Sequence, residues 1–316
     1  MRGSARKMFV SAACALGLVA TAAPVLVSAA ASPAAAAAPA GPAGSGLPTP
    51  GLYHVPIIGK VVLPGLGSLL GHSLRHATNV QSANWSGYAD SADTYDSVAA
   101  SWTEPSVNCA AGGGGGGILG GLLGGNGLGN LLGSGGSASS FWVGLDGYSS
   151  SSVEQLGTDS DCTGSTPSYY AWWELYPKGS VVLPSSYPVH PGDQITAWVA
   201  SNPSGTLFFL AEKDTTAGWS FSTTQGASPA FGRTSAEVVA EAPSSCDLIF
   251  CSEVPLPDFG QVNFSNADLI DNSGNNGSLS NFAANEITMA TGNRTLAVPS
   301  SLSADGRSFS ISWQNP

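Results

Sequence analysis

Carboxyl and aromatic side chains recur together at alternate positions in three short apolar segments. The alternating positions are Trp142, Gly144 and Asp146; Tyr170, Trp172, Glu174 and Tyr176; and Glu237 and Glu241. Successive side chains of a β-strand point to opposite faces, so each segment predicts a strand with one apolar face and one face of rings and acids. Such a face could bind an extended ligand and move protons to or from it. The same pattern also occurs as ordinary packing beneath loops, and that interpretation stays open here.

Other catalytic chemistries have few residues to work with. Beyond residue 80 the chain has one histidine, His190, which precedes a Pro-Gly-Asp turn at 191–193 and is interpreted as a loop residue. A Ser-His-Asp triad would need His190 as its base, and no Gly-x-Ser-x-Gly motif accompanies it. A zinc site built on two histidines cannot form beyond residue 80. We therefore expect no metal and no cofactor, and the chemistry falls to carboxyl and amide groups.

The first residues of the chain have the composition of an export signal. Basic residues at Arg2, Arg6 and Lys7 precede an almost uncharged apolar run, and small residues follow at 28–31. This order predicts a signal peptide over 1–31 that is cut off during secretion. A single membrane anchor is the alternative, but the apolar run is short and rich in alanine, which favours cleavage.

The cysteine content fits an exported protein. Cys14 lies within the predicted signal, and Cys109, Cys162, Cys246 and Cys251 remain. An even number of cysteines in an oxidising compartment predicts two disulfides, for which three pairings exist. The short loop favours pairing Cys246 with Cys251, which leaves Cys109 with Cys162. A zinc site is the rival interpretation, but the chain offers no Cys-x-x-Cys motif and no partner histidines.

Charge is distributed unevenly along the chain. Residues 1–80 contain five Lys or Arg and no acid, whereas residues 81–316 contain the five other basic residues and all 21 Asp and Glu. A surface this acidic repels nucleic acid and anionic membranes, so we expect neither as a partner. It also suits an acidic medium, because protonation of the carboxylates brings the net charge towards zero.

Composition divides the chain into regions. Residues 32–80 are rich in Ala, Pro and Gly and predict a pro-segment or linker of low order. Residues 81–316 carry short runs of aromatic and β-branched residues between turn residues, which predicts an all-β domain, a sandwich or a barrel. A Gly-rich stretch at 110–140, with six consecutive glycines at Gly112–Gly117, interrupts it and predicts a flexible surface insertion. An adhesive role for that insertion is the alternative.

Eight motifs in order along the chain resemble the glutamic endopeptidases, the eqolisin family. They are Asn84–Gly87, Val98–Pro105, Phe141–Gly147, Glu154–Asp159, Ala171–Pro177, Pro191–Asp193, Ala236–Glu241 and a closing strand near Ser308–Trp313. Each motif alone is only moderately specific, and their shared order carries the resemblance. The resemblance implies an antiparallel β-sandwich of two curved sheets, similar to concanavalin and other lectins, with the substrate in a concave groove.

The resemblance also implies residue roles. Gln155 matches the family's catalytic glutamine, and Glu241, rather than Glu237, matches its catalytic glutamate. The implied substrate-binding residues are Trp85, Trp142, Asp146, Asp159, Trp172, Glu174 and Tyr176. The family looks like a set of exported, acid-active endopeptidases, so we expect protein substrates and a monomer. We also expect a near-normal pKa for Glu241 and autocatalytic removal of the pro-segment between His72 and Ser82.

Two other functions remain open at this point. A carbohydrate-binding or glycoside-hydrolysing sandwich would show a similar face of rings and acids, with Glu174 and Glu241 as its carboxylate pair. Gln155 separates the two hypotheses, because a glycosidase does not need it. The third hypothesis is a non-catalytic surface protein that uses the 110–140 stretch for adhesion.

Overall fold

A computed structural model describes residues 52–63, 78–110, 136–246 and 251–314, all within one compact unit, Pro48–Pro316. The predicted signal peptide lies outside the described residues, and so do most of the 110–140 stretch and the first part of the predicted His72–Ser82 cleavage region. Strand β6 begins at Ser137 and its first residues are buried, so the last four residues assigned to the insertion belong to the sheet.

The described residues form strands and turns without any helix. The strands are β1 (Leu52–Tyr53), β2 (Val61–Val62), β3 (Asn79–Ser82), β4 (Trp85–Asp90), β5 (Tyr95–Thr103), β6 (Ser137–Leu145), β7 (Val153–Thr163), β8 (Thr166–Tyr176), β9 (Val181–Val182), β10 (Gln194–Ser201), β11 (Leu207–Asp214), β12 (Trp219–Gly226), β13 (Ala236–Glu241), β14 (Ser244–Cys246), β15 (Cys251–Glu253), β16 (Gln261–Asp271), β17 (Asn276–Ser278), β18 (Asn285–Thr291), β19 (Arg294–Pro299) and β20 (Phe309–Trp313). None of the described residues belongs to a helix that could span a membrane.

The strands pair into two layers. One layer runs β9-β8-β7-β6-β13-β4-β18, and its neighbours are antiparallel. The other runs β12-β11-β10-β5-β16-β20-β19, also antiparallel. The β18–β19 pair joins the two layers at one edge, and β3 adds to β18 in parallel. The predicted all-β antiparallel sandwich is confirmed.

The main hydrophobic core lies between the two layers. Phe141, Val143 and Leu145 of β6 point into it and meet side chains such as Trp102 of β5 and Phe264 of β16. The alternate β6 residue Trp142 instead joins a second buried cluster on the outer side of its layer, with Trp85, Trp172 and Val239. Strand alternation therefore sorts these side chains as the sequence predicted, and the tryptophans share one face.

One predicted disulfide is present. Cys109 and Cys162 are bonded, with their Cα atoms 5.4 Å apart, which ties the loop after β5 to the end of β7. Cys251 is also disulfide-bonded, and Cys246 lies opposite it in the β14–β15 ladder. The pairing of Cys246 with Cys251 stays a prediction.

Part of the region predicted to have low order follows a defined path. Residues 52–63, hereafter the leading segment, begin with β1, which pairs with β14, and end with β2, which pairs with β3. Between these strands the backbone NH of Ile57 donates to the carbonyl of Gly147 at 3.2 Å, and the carbonyl of Ile58 accepts from the NH of Ala83 at 2.9 Å. Composition did not anticipate this path, because the stretch has the Pro and Gly content of a linker.

Candidate active site

The face that carries the tryptophans is built by five adjacent strands, β4, β13, β6, β7 and β8. Their register places residues in three rows across the layer: Trp85, Glu241, Ser140, Asp159 and Tyr170; Gly87, Val239, Trp142, Gly157 and Trp172; and Ala89, Glu237, Gly144, Gln155 and Glu174. Paired residues in neighbouring strands point to the same side of a sheet. The register thus presents Gln155 and Glu241 on one face, from strands separated by β6.

Gly157 in the middle row lies so close to the neighbouring strand that no side chain fits there. A Cβ at Gly157 would lie 2.1 Å from the carbonyl oxygen of Phe141 and 2.7 Å from Cβ of Trp142. We expect Gly157→Ala to lower the free energy of unfolding by about 2–3 kcal/mol, because the clash is with backbone that cannot swing away. Urea unfolding at acid pH would measure this loss.

Gly164→Ala provides a matched control for Gly157→Ala. Gly164 lies in the β7–β8 turn with φ +60°, and nothing lies within 4 Å of its added Cβ. Only the left-handed backbone then resists substitution, at about 1 kcal/mol. Equal losses for the two variants would contradict the tight contact at Gly157.

The leading segment crosses this face and presents one peptide group to the two predicted catalytic residues. Nε2 of Gln155 donates to the carbonyl oxygen of His54 at 2.5 Å. On the other side of the same peptide group, the NH of Val55 donates to Oε1 of Glu241 at 3.0 Å. Gln155 and Glu241 are both fully buried. The two side chains thus reach the oxygen and the nitrogen of a single amide.

Glu241 lies among hydrogen-bond donors. Nε1 of Trp142 donates to its Oε2 at 2.8 Å, and Nδ2 of Asn84 reaches its Oε1 at 3.4 Å. Burial raises the pKa of Glu241 well above its usual value, while the nearby His54 and the Trp142 and Val55 donors oppose the rise. The expectation of a near-normal pKa is therefore wrong for the form in which the leading segment covers the site, because the cover removes water from the carboxyl group.

The amide of Gln155 has a defined orientation. Besides the carbonyl of His54, its Nε2 donates to Oε2 of Glu174 at 3.2 Å. A carbonyl and a carboxylate can only accept, so the amide nitrogen rather than the amide oxygen must face them. Glu174 thereby holds Gln155 as a donor towards the peptide oxygen.

His54 fills a pocket beside this amide. Its imidazole stacks on Trp172 with ring centroids 3.4 Å apart and planes 4° from parallel. Nδ1 lies 3.2 Å from Oε2 of Glu174, and Nε2 lies 3.3 Å from Oδ1 of Asp159. The hydroxyl of Tyr170 donates to Asp159 at 2.9 Å, which holds that carboxylate in place. This pocket is hereafter the imidazole pocket, formed by Trp172, Asp159 and Glu174.

Across the described ranges, no group of three or more His, Cys, Asp or Glu is arranged to hold a metal ion. A buried amide donor at a carbonyl oxygen and a carboxyl group at the adjoining nitrogen match the requirements of peptide hydrolysis. The peptidase A4 family matches residues 83–313, which is most of the chain.

The chain belongs to the peptidase A4 family. It is a glutamic-type peptidase, and the resemblance drawn from the eight motifs is confirmed. No match was found in a comparison with curated proteins.

Solved structures of glutamic peptidases share the fold of this A4 peptidase. Scytalido-glutamic peptidase with a transition-state analogue inhibitor is similar with a TM-score of 0.58 and 24% identity, over 73% of this chain and 98% of that one. SCP-B, described as a member of the eqolisin family in complex with the tripeptide Ala-Ile-His, has a TM-score of 0.55 and 22% identity over the same shares. Because both sequence identities are below 25%, these similarities support a shared fold only.

Most of the predicted binding residues of the A4 peptidase lie at this site. Trp85 donates through Nε1 to the carbonyl of Val55 at 3.1 Å and packs edge-on against Trp142. Trp172, Asp159 and Glu174 form the imidazole pocket described above. Tyr176 is partly buried at the rim, where burial raises the pKa of its hydroxyl and the neighbouring Glu174 and Tyr53 add to the rise.

Asp146 lies in the turn after β6 and contacts the loop before β13. Its carboxylate accepts from the backbone NH of Arg233 at 2.7 Å and of Thr234 at 2.8 Å, and from the hydroxyl of Ser150 at 3.1 Å. It therefore anchors the loop before β13, and its role in substrate binding stays a prediction. Strand alternation predicted that Asp146 points to the same side of the sheet as Trp142. However, β6 ends at Leu145, so Asp146 is the first residue of the following turn.

Sequence reasoning missed two residues of the site. Asn84 donates through Nδ2 to the carbonyls of Val55 and Pro56 and to Glu241, at 3.3–3.4 Å. Asn84 begins the Asn84–Gly87 motif and directly precedes Trp85, and this position could have indicated that it belongs to the site. His54 was missed because it lies in a stretch whose composition indicated a linker.

Proposed function

We propose that this peptidase is an exported, acid-active endopeptidase in which Glu241 is the general base and Gln155 stabilises the oxyanion. The peptide group between His54 and Val55 carries the proposal, because it has Gln155 at its oxygen and Glu241 at its nitrogen. A substrate peptide bound in the same direction would meet the same two groups.

The proposed reaction begins with water attacking the carbonyl carbon while Glu241 removes a proton from that water. The carbonyl oxygen becomes negatively charged and accepts a stronger hydrogen bond from the Gln155 amide. The C–N bond then breaks as Glu241 passes the proton to the leaving nitrogen, close to where Oε1 meets the NH of Val55. The products are one carboxyl and one amino terminus, and Glu241 is again ionised.

Gln155→Ala is expected to lower kcat by about 10²–10³-fold with a smaller effect on KM, because the lost donor acts mainly on the developing oxyanion. The measurement is hydrolysis of denatured casein at acid pH with pepstatin present. Gln194→Ala is the control, since Gln194 is an exposed glutamine of β10 that donates to Thr103. An unchanged kcat in Gln155→Ala would remove Gln155 from the mechanism.

Export and the choice of partners belong to the same proposal. The Cys109–Cys162 disulfide is stable in an oxidising compartment, which supports secretion. The excess of acid beyond residue 80 supports protein substrates over nucleic acid or anionic membranes, and a monomer is proposed. Detection of the protein in cell fractions rather than the culture medium would contradict the export proposal.

A further inference from the structure

The imidazole pocket contacts one face of the His54 ring and both of its nitrogens. His54 is 1% exposed, and the face of its ring lies flat on Trp172. Its backbone NH also donates to Oε2 of Glu174 at 2.9 Å, so Glu174 binds both the main chain and the ring of the same residue. The ring is thus held in one position relative to the carbonyl that Gln155 contacts.

The charges of the pocket favour a protonated ring. Both ring nitrogens face carboxyl groups, and only the imidazolium form can donate from both nitrogens at once. Burial alone would lower the pKa of His54, but the carboxylates of Asp159 and Glu174 raise it to about 10. Asp161 and Tyr170 lie behind Asp159, and Glu241 faces the pocket from β13, so the surrounding titratable groups are acids.

Other side chains would satisfy only part of the pocket. A phenylalanine would stack on Trp172 but would remove the two ring donors that face Asp159 and Glu174. A lysine would bring a charge but no flat ring, and its ammonium is a single point rather than two opposed donors. A glutamine would bring a planar amide but no charge.

We propose that the imidazole pocket selects a histidine immediately before the cleaved bond, and that His54–Val55 is a bond this peptidase cuts in its own chain. This inference rests on the proposed function of Gln155 and Glu241. In the cut, water adds its oxygen to the carbonyl carbon of His54, the C–N bond breaks, and the nitrogen of Val55 takes a proton. The products are a carboxyl terminus at His54 and an amino terminus at Val55.

The hydrogen bonds of the leading segment agree with cleavage between His54 and Val55. Residues after Val55 are held by the domain, with the NH of Ile58 donating to Oδ1 of Asn84 at 2.8 Å and Nζ of Lys60 donating to the carbonyl of Tyr148 at 2.8 Å. Until it is cut and released, the segment occupies the place of a substrate. The expected first cut thus lies upstream of the predicted His72–Ser82 region.

Peptides test the selectivity directly. A synthetic peptide with the sequence of residues 50–58 would be compared with His54→Phe, His54→Gln and His54→Lys versions at about pH 5, where free histidine is protonated. We expect kcat/KM for the histidine peptide to exceed each other peptide by about ten- to hundredfold, the usual effect of charge-assisted hydrogen bonds. Equal or faster cleavage of the other peptides would overturn the inference and leave the proposed function standing. No cleavage of any peptide or of casein would overturn both.

Asp159→Asn tests the pocket separately from overall activity. The readout is the ratio of kcat/KM for the histidine and phenylalanine peptides within the variant, so a general loss of activity cancels. We expect this ratio to fall at least about tenfold, since one charged partner of the ring is lost. An unchanged ratio would show that Asp159 does not select the ring.

Self-cleavage is tested with the full-length chain. Protein purified at neutral pH would be shifted to acid, and the new termini would be followed by intact mass and N-terminal sequencing. We expect Val55 as an early new terminus, formed at a rate independent of protein concentration because the bond lies in the same chain's site. His54→Gln should slow this cut about tenfold or more, and Gln155→Ala should block it. Early cuts confined to 72–82, with His54–Val55 intact, would overturn the assignment.

Discussion

Glu241→Gln is expected to lower kcat for peptide hydrolysis by about 10²–10⁴-fold, the usual contribution of a positioned general base. Glutamine has nearly the same shape but cannot take a proton from water. Its amide can still accept from Nε1 of Trp142, which donates to Glu241 at 2.8 Å, so the fold should persist. Hydrolysis of denatured casein at acid pH with pepstatin present, followed over a pH series, would measure the loss.

Glu237→Gln is the matched control for that experiment. Glu237 lies on the same strand and the same face, four residues away, and is also fully buried. The neighbours of Glu237 are Ser235 and the backbone NH of Tyr148, whereas Glu241 contacts the NH of Val55. We expect its substitution to leave acid-pH activity unchanged. Equal losses in both variants, or full activity in Glu241→Gln, would contradict the assigned base.

The free energy of unfolding is expected to fall as pH rises from about 4.5 to 7 and beyond. Burial raises the pKa of four acids that lie outside the contacts of the leading segment: Glu104, Glu154, Glu212 and Glu237. A carboxyl group whose folded pKa exceeds its unfolded pKa favours folding below the unfolded pKa. That stabilising contribution is lost as the pH rises through the pKa of the group in the folded protein. The protein should therefore be more stable in acid than at neutral pH.

Glu104 allows the size of this effect to be stated. Burial raises its pKa from 4.5 to about 7, opposed by hydrogen bonds from Ser160, Thr158 and Trp102. At about 1.4 kcal/mol per pH unit, ionising this one group in the fold costs about 3 kcal/mol. The other three acids act in the same direction, so the whole protein should lose more.

Urea unfolding at pH 4, 5, 6, 7 and 8 would test the pH dependence. The Gln155→Ala form is the common background, so that self-digestion does not distort the curves. Adding Glu104→Gln should flatten the decline by about 3 kcal/mol, because the amide does not ionise. Exchange of an exposed acid, Glu253→Gln, is the control and should leave the slope as it was. A decline of the same size in the Glu104→Gln form would rule out ionisation of Glu104 as a cause.

The raised pKa values of these buried acids also bear on the stability of the fold in acid. A protein whose buried acids are neutral does not lose paired carboxylates when the pH falls, since few Lys or Arg are available for pairing beyond residue 80. The amino-acid composition alone indicated only that the domain suits an acidic medium. The structure identifies the individual carboxyl groups whose protonation favours the fold.

Strand alternation in this sequence determined which side chains share a face. A period of two residues follows from the geometry of an extended chain, so Trp142, Glu174 and Glu241 could be assigned to one face without coordinates. The order of motifs then indicated the family, and with it the pair Gln155 and Glu241. The role of Asp146 in substrate binding stays a prediction, because β6 ends at Leu145 and alternation holds only as far as the strand continues.

The tertiary structure alone decided how the site is occupied. Gln155 and Glu241 come from strands that are separated by β6, and their meeting at one peptide group depends on the register and shape of the whole layer. The leading segment has the composition of a linker, since its order comes from contacts with distant residues such as Asn84 and Glu174 rather than from local propensity. Burial likewise arises only when the layers pack, and it is burial that raises the pKa of Glu241 and of Glu104.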